Sequence, residues 1–208
     1  MSLKTFVKIS NINNLSDARY CAGMYVNLMG FNLEQNHEDF ISPEKFKEIT
    51  DWLSGLEFVA EFETAHPDTI LSTIQEYSGI KFIEIQEEIH LKMLVNSGYG
   101  LILKVTLNEE SEIDEIIAKA DSYKDFEVAI HLHSLSLELK DSVIQKIKEL
   151  SNNCEVLLGF GLEPDTVEEI IKDTGIKGIC LQGGHEIKPG LKDFDDLADI
   201  LEALEVED

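Results

Sequence analysis

Eight short apolar runs alternate with eight amphipathic segments along this chain of 208 residues, and few folds accept that order. Apolar runs bounded by turn residues predict strands over 5–9, 27–31, 57–62, 82–85, 101–105, 127–132, 155–158 and 178–181. Helical spacing predicts helices over 16–24, 43–53, 67–77, 90–95, 109–120, 138–150 and 164–173, with 194–204 last. Strict alternation of this kind implies parallel strands joined by right-handed crossovers. Eight such units in so short a chain suit a closed βα barrel, an α/β fold, better than an open doubly wound sheet. The expectation is one barrel domain covering 1–208, with no linker or low-complexity segment.

Local signals agree with this division. Ser42-Pro43 and His66-Pro67 put proline at a first helical turn, and Asn108 before Glu109 and Glu110 offers a cap with acids behind it. Pro164 opens, and Gly175 stops, the segment carrying Val167, Ile170 and Ile171. The runs Gly79 to Gln86 and Gly175 to Gln182 match at five of eight positions and fall at the fourth and eighth strands, as a duplicated half-barrel would produce.

Charge narrows the partners. With 41 Asp and Glu against 17 Lys and Arg, the net charge of -24 excludes the cationic footprint that nucleic acid or an anionic membrane requires. Cys21, Cys154 and Cys180 are odd in number, widely spaced and in no metal or redox pattern, which predicts free thiols in a reducing cytoplasm. No apolar run reaches the ~18 residues of a membrane span, and the first residues lack a signal-peptide core. A cytoplasmic protein without a cofactor is expected, its oligomeric state unreadable.

Two glycine clusters mark where a ligand would sit. Gly159-Phe160-Gly161 follows the seventh strand, and Gly183-Gly184 follows the eighth. In βα barrels the loops after these strands are the usual phosphate site, because glycine lets backbone N–H groups approach an anion. Gly159, Gly161, Gly183 and Gly184 are therefore candidate phosphate-binding residues, although tight turns alone would also require them.

A family resemblance runs the length of the chain. Lys8-Ile9-Ser10-Asn11-Ile12 followed by Asp17-Ala18 resembles the opening of the phosphoribosylanthranilate isomerases, where Lys-Ile-Cys-Gly-Ile precedes a short loop and Asp-Ala. Gly30-Phe31, Ile41-Ser42-Pro43-Glu44, Gly161-Leu162 with Pro164, and then Gly184, Glu186, Pro189-Gly190 and Lys192-Asp193 continue it in order. The resemblance implies a TIM barrel of the ribulose-phosphate-binding type. It also implies an Amadori aldose–ketose isomerisation in tryptophan biosynthesis, acting on a small phosphorylated metabolite.

The chemical positions depart from that pattern. Ser10 stands where the family carries the Cys that acts as general base, and an unactivated hydroxyl is a far poorer base than a thiolate. His133 stands where the family carries its general acid, an Asp, and imidazole can still donate a proton near neutrality. Asp39 occupies the place of the substrate-binding Arg in the loop after the second strand, which turns attraction for a carboxylate into repulsion. Phe160 and Gln182-Gly183 replace a glycine and the paired serines of the phosphate cup. Impaired or altered isomerase activity is expected, with a non-catalytic barrel that binds a small ligand or phosphate as the alternative.

Alternation along the strands predicts a polar interior. Lys8 with Ser10, Glu84 with Gln86, and His131 with His133 share faces of the first, fourth and sixth strands, and Lys104 joins them if the fifth points the same way. One reading is an ion-pair network of Lys8 and Lys104 with Glu84. Another is a metal held by His131, His133 and Glu84. Two nearby lysines weigh against a cation, so no metal is expected.

Overall fold

Parallel pairing of consecutive strands closes the sheet. In the computed structural model β1 (Phe6–Ser10), β2 (Leu28–Asn32), β3 (Glu57–Glu61), β4 (Ile80–Ile85), β5 (Gly100–Thr106), β6 (Val128–His133), β7 (Val156–Leu158) and β8 (Gly178–Gln182) form a closed barrel, β8 returning to β1. The structure describes residues 2–183, 185–188, 191–193 and 195–206, with only the backbone described for 185–188, 191–193, 195 and 196. Among the described residues no helix is long and apolar enough to cross a membrane.

Helices α1 (Leu15–Gly23), α2 (Pro43–Thr50), α3 (Pro67–Ile74), α4 (Leu91–Leu94), α5 (Ser111–Ile117), α6 (Ala120–Asp125), α7 (Asp141–Ser151), α8 (Val167–Thr174) and α9 (Asp195–Ala203) follow or join the strands. Ser42 caps α2 by accepting from Lys45 N at 3.3 Å, and His66 caps α3 by accepting from Asp68 N, each ahead of a first-turn proline. Asn108 does not cap: Glu112 reaches back from α5 to accept from the Asn108 and Glu109 amides at 2.6 and 3.0 Å.

Three elements differ from expectation. The helix predicted over 109–120 is two helices, α5 and α6, whose buried Ile113, Ile116, Ala120 and Tyr123 continue one apolar stripe across the break at Lys119. The residues after Pro164 first make a turn, with Thr166 and Val167 donating to Glu163 O, so α8 begins three residues later than the proline signal implies. After β8 the chain forms an antiparallel pair, β9 (His185–Lys188) with β10 (Leu191–Asp193), where only a conserved-looking motif was legible in the sequence.

Two apolar layers support the barrel. The larger lies between strands and helices, and includes Val7, Ile9, Phe31, Ile83, Leu132, Ile179 and, after β7, Phe160. The smaller is drawn from all eight strands: Phe6, Leu28, Val59, Phe82, Ile102, Ala129, Leu157 and Cys180. These positions alternate with the outward-facing set, so they fill the barrel interior and form a floor beneath the mouth.

Candidate active site

Directly above the floor the interior side chains change from apolar to ionisable. Lys8, Ser10, Glu61, Glu84 and His131 are all buried, at 0, 2, 6, 3 and 1 % exposure. Lys8 is the hub: its Nζ lies 2.5 Å from Glu61 Oε1, 3.0 Å from Glu84 Oε2 and 2.5 Å from Ser10 Oγ. His131 Nδ1 meets the same Glu84 oxygen at 3.0 Å. A buried charge is tolerable only with partners of this quality, and the pairs here supply them.

Two glycines make the layer fit. A Cβ at Gly30 would stand 2.0 Å from Glu61 Oε1, and one at Gly159 would stand 2.6 Å from His131 Nε2. Each glycine therefore clears the path of a charged side chain from a neighbouring strand.

The electrostatics follow from the pairing. Burial acts against the Lys8 charge, but Cys180, Glu61 and Glu84 outweigh it and hold the ammonium above the ordinary lysine value. Burial opposes ionisation of Glu84, and Lys8 and His131 overcome it, leaving the carboxyl well below the usual range. Burial would lower His131, yet Cys180 and Glu84 raise it to about 9. His133 goes the other way, pushed down by burial and by the positive Lys104 and His131. Lys104 is partly buried and pairs in register with His131 on the neighbouring strand, from where its charge acts on Glu84 and His133.

The remaining candidates occupy the mouth or its rim. His133 is the last residue of β6 and half-buried, its ring centroid 6.3 Å from that of His131. Gln86 follows β4. Asp39 lies in the loop after β2, where its amide donates to His37 Nδ1 at 3.1 Å, while His37 Nε2 stands 3.4 Å from Glu63. Glu34 ties this loop to the one after β3 by accepting from the Glu63 and Thr64 amides at 2.7 and 3.1 Å.

The glycine amides are committed differently from the simple cup. Gly159 N donates to Leu132 O and Gly183 N to Ser10 O, both at 2.8 Å, so these two amides extend the strand ladder. Gly161 turns with φ 64 against Leu139, and Gly184 lies outside the described residues. Over β1 and β8, Asn11 Nδ2 donates to Gln182 Oε1 at 3.2 Å, and Asn11 N donates to Glu61 Oε2 at 3.1 Å, which roofs Ser10.

Sequence reasoning missed Glu61 and Cys180. Cys180 Sγ lies 3.3 Å from Ser10 Oγ and 3.9 Å from Lys8 Nζ. Its signal was register: β1 pairs with β8 so that Lys8 opposes Cys180 and Ser10 opposes Gln182. Burial raises the thiol pKa, but His131 and Lys8 prevail and bring it below the ordinary value. The set as a whole offers a hydroxyl between a cation and a thiol on one side of the mouth and an imidazole on the other, an arrangement suited to moving protons. Among the described residues no group of three or more His, Cys, Asp and Glu is arranged to hold a metal. A groove of about 650 Å³ lined by Tyr123, Cys154, Gly175 and Lys177 lies at the opposite end, beside the starts of β6 to β8, and contains none of these groups.

No protein-family model matches the chain. It is similar over its length to a curated protein of Chlorobium phaeobacteroides, 25% identical over 211 residues covering 95% of this chain and 96% of the relative. A protein of Thermotoga neapolitana is 25% identical over 193 residues, covering 90% and 92%. Both are N-(5'-phosphoribosyl)anthranilate isomerases. A crystal structure of a phosphoribosylanthranilate isomerase in complex with reduced 1-(o-carboxyphenylamino)-1-deoxyribulose 5-phosphate has a TM-score of 0.75 at 22% identity, covering 96% of this chain and 98% of that one. That likeness shows the fold: a TIM barrel of the type these isomerases use.

Proposed function

We propose that this barrel is an aldose–ketose isomerase of the phosphoribosylanthranilate isomerase kind, with altered and slowed chemistry. It acts in the cytoplasm as one domain over 1–208 on a small phosphorylated sugar derivative. The observation that carries this reading is the placement of Ser10 at the mouth end of β1, hydrogen-bonded to Lys8 Nζ at 2.5 Å and to Cys180 Sγ at 3.3 Å. Ser10 is in the position to take the proton from the sugar carbon, and His133 on β6 to protonate the ring oxygen. Phosphate would be received around Gly161 and Gly184, where the Gly159 and Gly183 amides are already engaged.

Slowed turnover follows from two features. The imidazolium of His133 is scarce at neutral pH, because burial and neighbouring cations lower its pKa. Asp39 repels an anionic aromatic ring where a cation would attract it. Each lost acid–base function is worth ~10² to 10⁴ in rate.

A second reading, ligand binding without turnover, is favoured by the roof of Asn11 and Gln182 over a Ser10 that is only 2 % exposed. Direct assay of phosphoribosylanthranilate turnover by the wild type, beside Ser10→Cys with His133→Asp and Asp39→Arg, separates the two. Slow turnover by the wild type supports the isomerase; turnover in the triple variant alone supports the binding protein.

A further inference from the structure

One buried nucleophile has no place in that scheme. Cys180 is 3 % exposed, stands at the upper edge of the apolar floor, and points its sulfur at Ser10 and Lys8 rather than at the apolar side chains beneath it. Resting on the isomerase reading, we propose that Cys180 is a positioning residue for Ser10: its sulfur, caged by Lys8 and His131, takes the Ser10 proton as the Ser10 oxygen takes one from the substrate carbon.

The charges around the sulfur favour this. From β1 comes Lys8, from β3 Glu61, from β4 Glu84, from β5 Lys104 and from β6 His131, while β2 and β7 contribute only Leu28 and Leu157 near the sulfur's level. The cations Lys8 and Lys104 balance the carboxylates Glu61 and Glu84, so an imidazolium at His131, which the 3.0 Å contact of its Nδ1 with Glu84 favours, is balanced when Cys180 carries a third negative charge. An unbalanced charge in a layer floored by apolar side chains is costly. The lowered thiol pKa agrees with that balance.

The geometry gives the hydroxyl a direction. Lys8 Nζ can only donate, so Ser10 Oγ accepts from it and keeps its own hydrogen for another partner; when Cys180 is a thiolate, the bond between the two at 3.3 Å can only run from Ser10 Oγ to the sulfur. In the step itself the C–H electron pair passes toward the adjoining C=N⁺ of the ring-opened substrate. The carbon's proton goes to Ser10 Oγ, and the Ser10 proton goes to Cys180 Sγ, converting thiolate to thiol. Ser10 Oγ then gives its proton to the neighbouring carbon, the one that bore the C=N⁺, as the hydroxyl on the first carbon loses its proton to solvent and becomes the ketone; the Cys180 proton returns to Ser10, which restores the site with no net redox change.

Two measurements on the full chain test this. The first is the thiolate absorbance of wild type minus Cys180→Ala across pH, in which Cys21 and Cys154 cancel. A band present at neutral pH, whose midpoint rises in Ser10→Ala, is expected; no band at neutral pH overturns the proposal whether or not the enzyme turns over. The second is isomerase kinetics. Cys180→Ala should lower kcat by ~10² or more with KM little changed, and Cys180→Ser, which keeps the shape but cannot carry the negative charge, should fall with it. A structural role for Cys180 would leave Cys180→Ser active, and full activity in Cys180→Ala would overturn the proposal. A thiolate band without any wild-type turnover would instead overturn the isomerase reading.

Discussion

The Cα of Gly159 is positioned so that a methyl group on it would come within 2.6 Å of His131 Nε2. That single contact links the glycine loop after β7 to the ionisable layer. Gly159→Ala is expected to push the imidazole off Glu84, and to destabilise the fold by about 1–3 kcal/mol as overpacking does. Denaturant unfolding checks the stability. Loss of the raised His131 pKa, followed by NMR, checks the cause; an unchanged His131 titration would refute it.

Lys8 bridges two carboxylates, so its removal leaves Glu61 with the Asn11 amide and Glu84 with His131, and neither with its lysine. Lys8→Met should cost about 3–5 kcal/mol, the usual penalty for breaking a buried ion pair from one side. Adding Glu61→Gln and Glu84→Gln should return part of that loss, since the uncompensated charges go with them. Urea midpoints of the single and triple variants decide it, and a triple variant weaker than Lys8→Met would show that the bonds from His131 to Glu84 and from Asn11 to Glu61 outweigh the loss of Lys8.

Stability should depend on pH through His131 and Glu84, which act with opposite sign, while the depressed Cys180 thiol partly offsets His131 on the alkaline side. The folded pKa of His131 is raised to about 9, so its contribution is fully present below the unfolded histidine value near 6.5 and is lost as pH rises toward about 9. Glu84 is depressed, so its contribution is present above the unfolded carboxyl value near 4.3 and disappears only as pH falls below it. Maximal stability is expected between those unfolded values, with a decline on the alkaline side that His131→Gln flattens. Urea midpoints measured across that range for both proteins provide the check.

Reversing charge at the rim should improve recognition of an aromatic carboxylate. Asp39→Arg is expected to tighten binding of reduced 1-(o-carboxyphenylamino)-1-deoxyribulose 5-phosphate by roughly tenfold, as close charge pairs at partly exposed sites do. Isothermal titration at low and high salt measures it; equal affinity for Asp39 and Arg would place the carboxylate elsewhere.

Turnover, if limited by His133 as the acid, should fall as pH rises through a value below that of free histidine. His133→Asp should shift this limb further down, and a limb that stays in place would exclude His133 as the group titrating.

Periodicity made the frame legible because eight strands and their helices repeat one pattern, and each repeat corrects the next. Lys8, Glu84 and His131 were legible for a related reason: a charged residue at an inward position of a barrel strand has few places to go. Glu61 was not, because Glu57 and Glu61 share one face of β3 at its two ends, and alternation alone does not say which of them lies at the buried end. The clue lay on β2, where Gly30 leaves room for it. Cys180 was hidden by the pairing of β1 with β8, a contact between the two ends of the barrel sequence that no local pattern reports. The β9–β10 pair was read as a family motif, which says that residues recur and not what shape they take.

The seven apolar side chains of the floor, with Cys180 at its upper edge, pack beneath the charged layer. Proton traffic between that layer and bulk solvent then runs by the doorway of the mouth, where Asn11 is hydrogen-bonded to Gln182. Whatever widens or bars that doorway sets the tempo at which the whole layer can re-equilibrate, so substitutions there would act on kinetics without touching a single ionisable group.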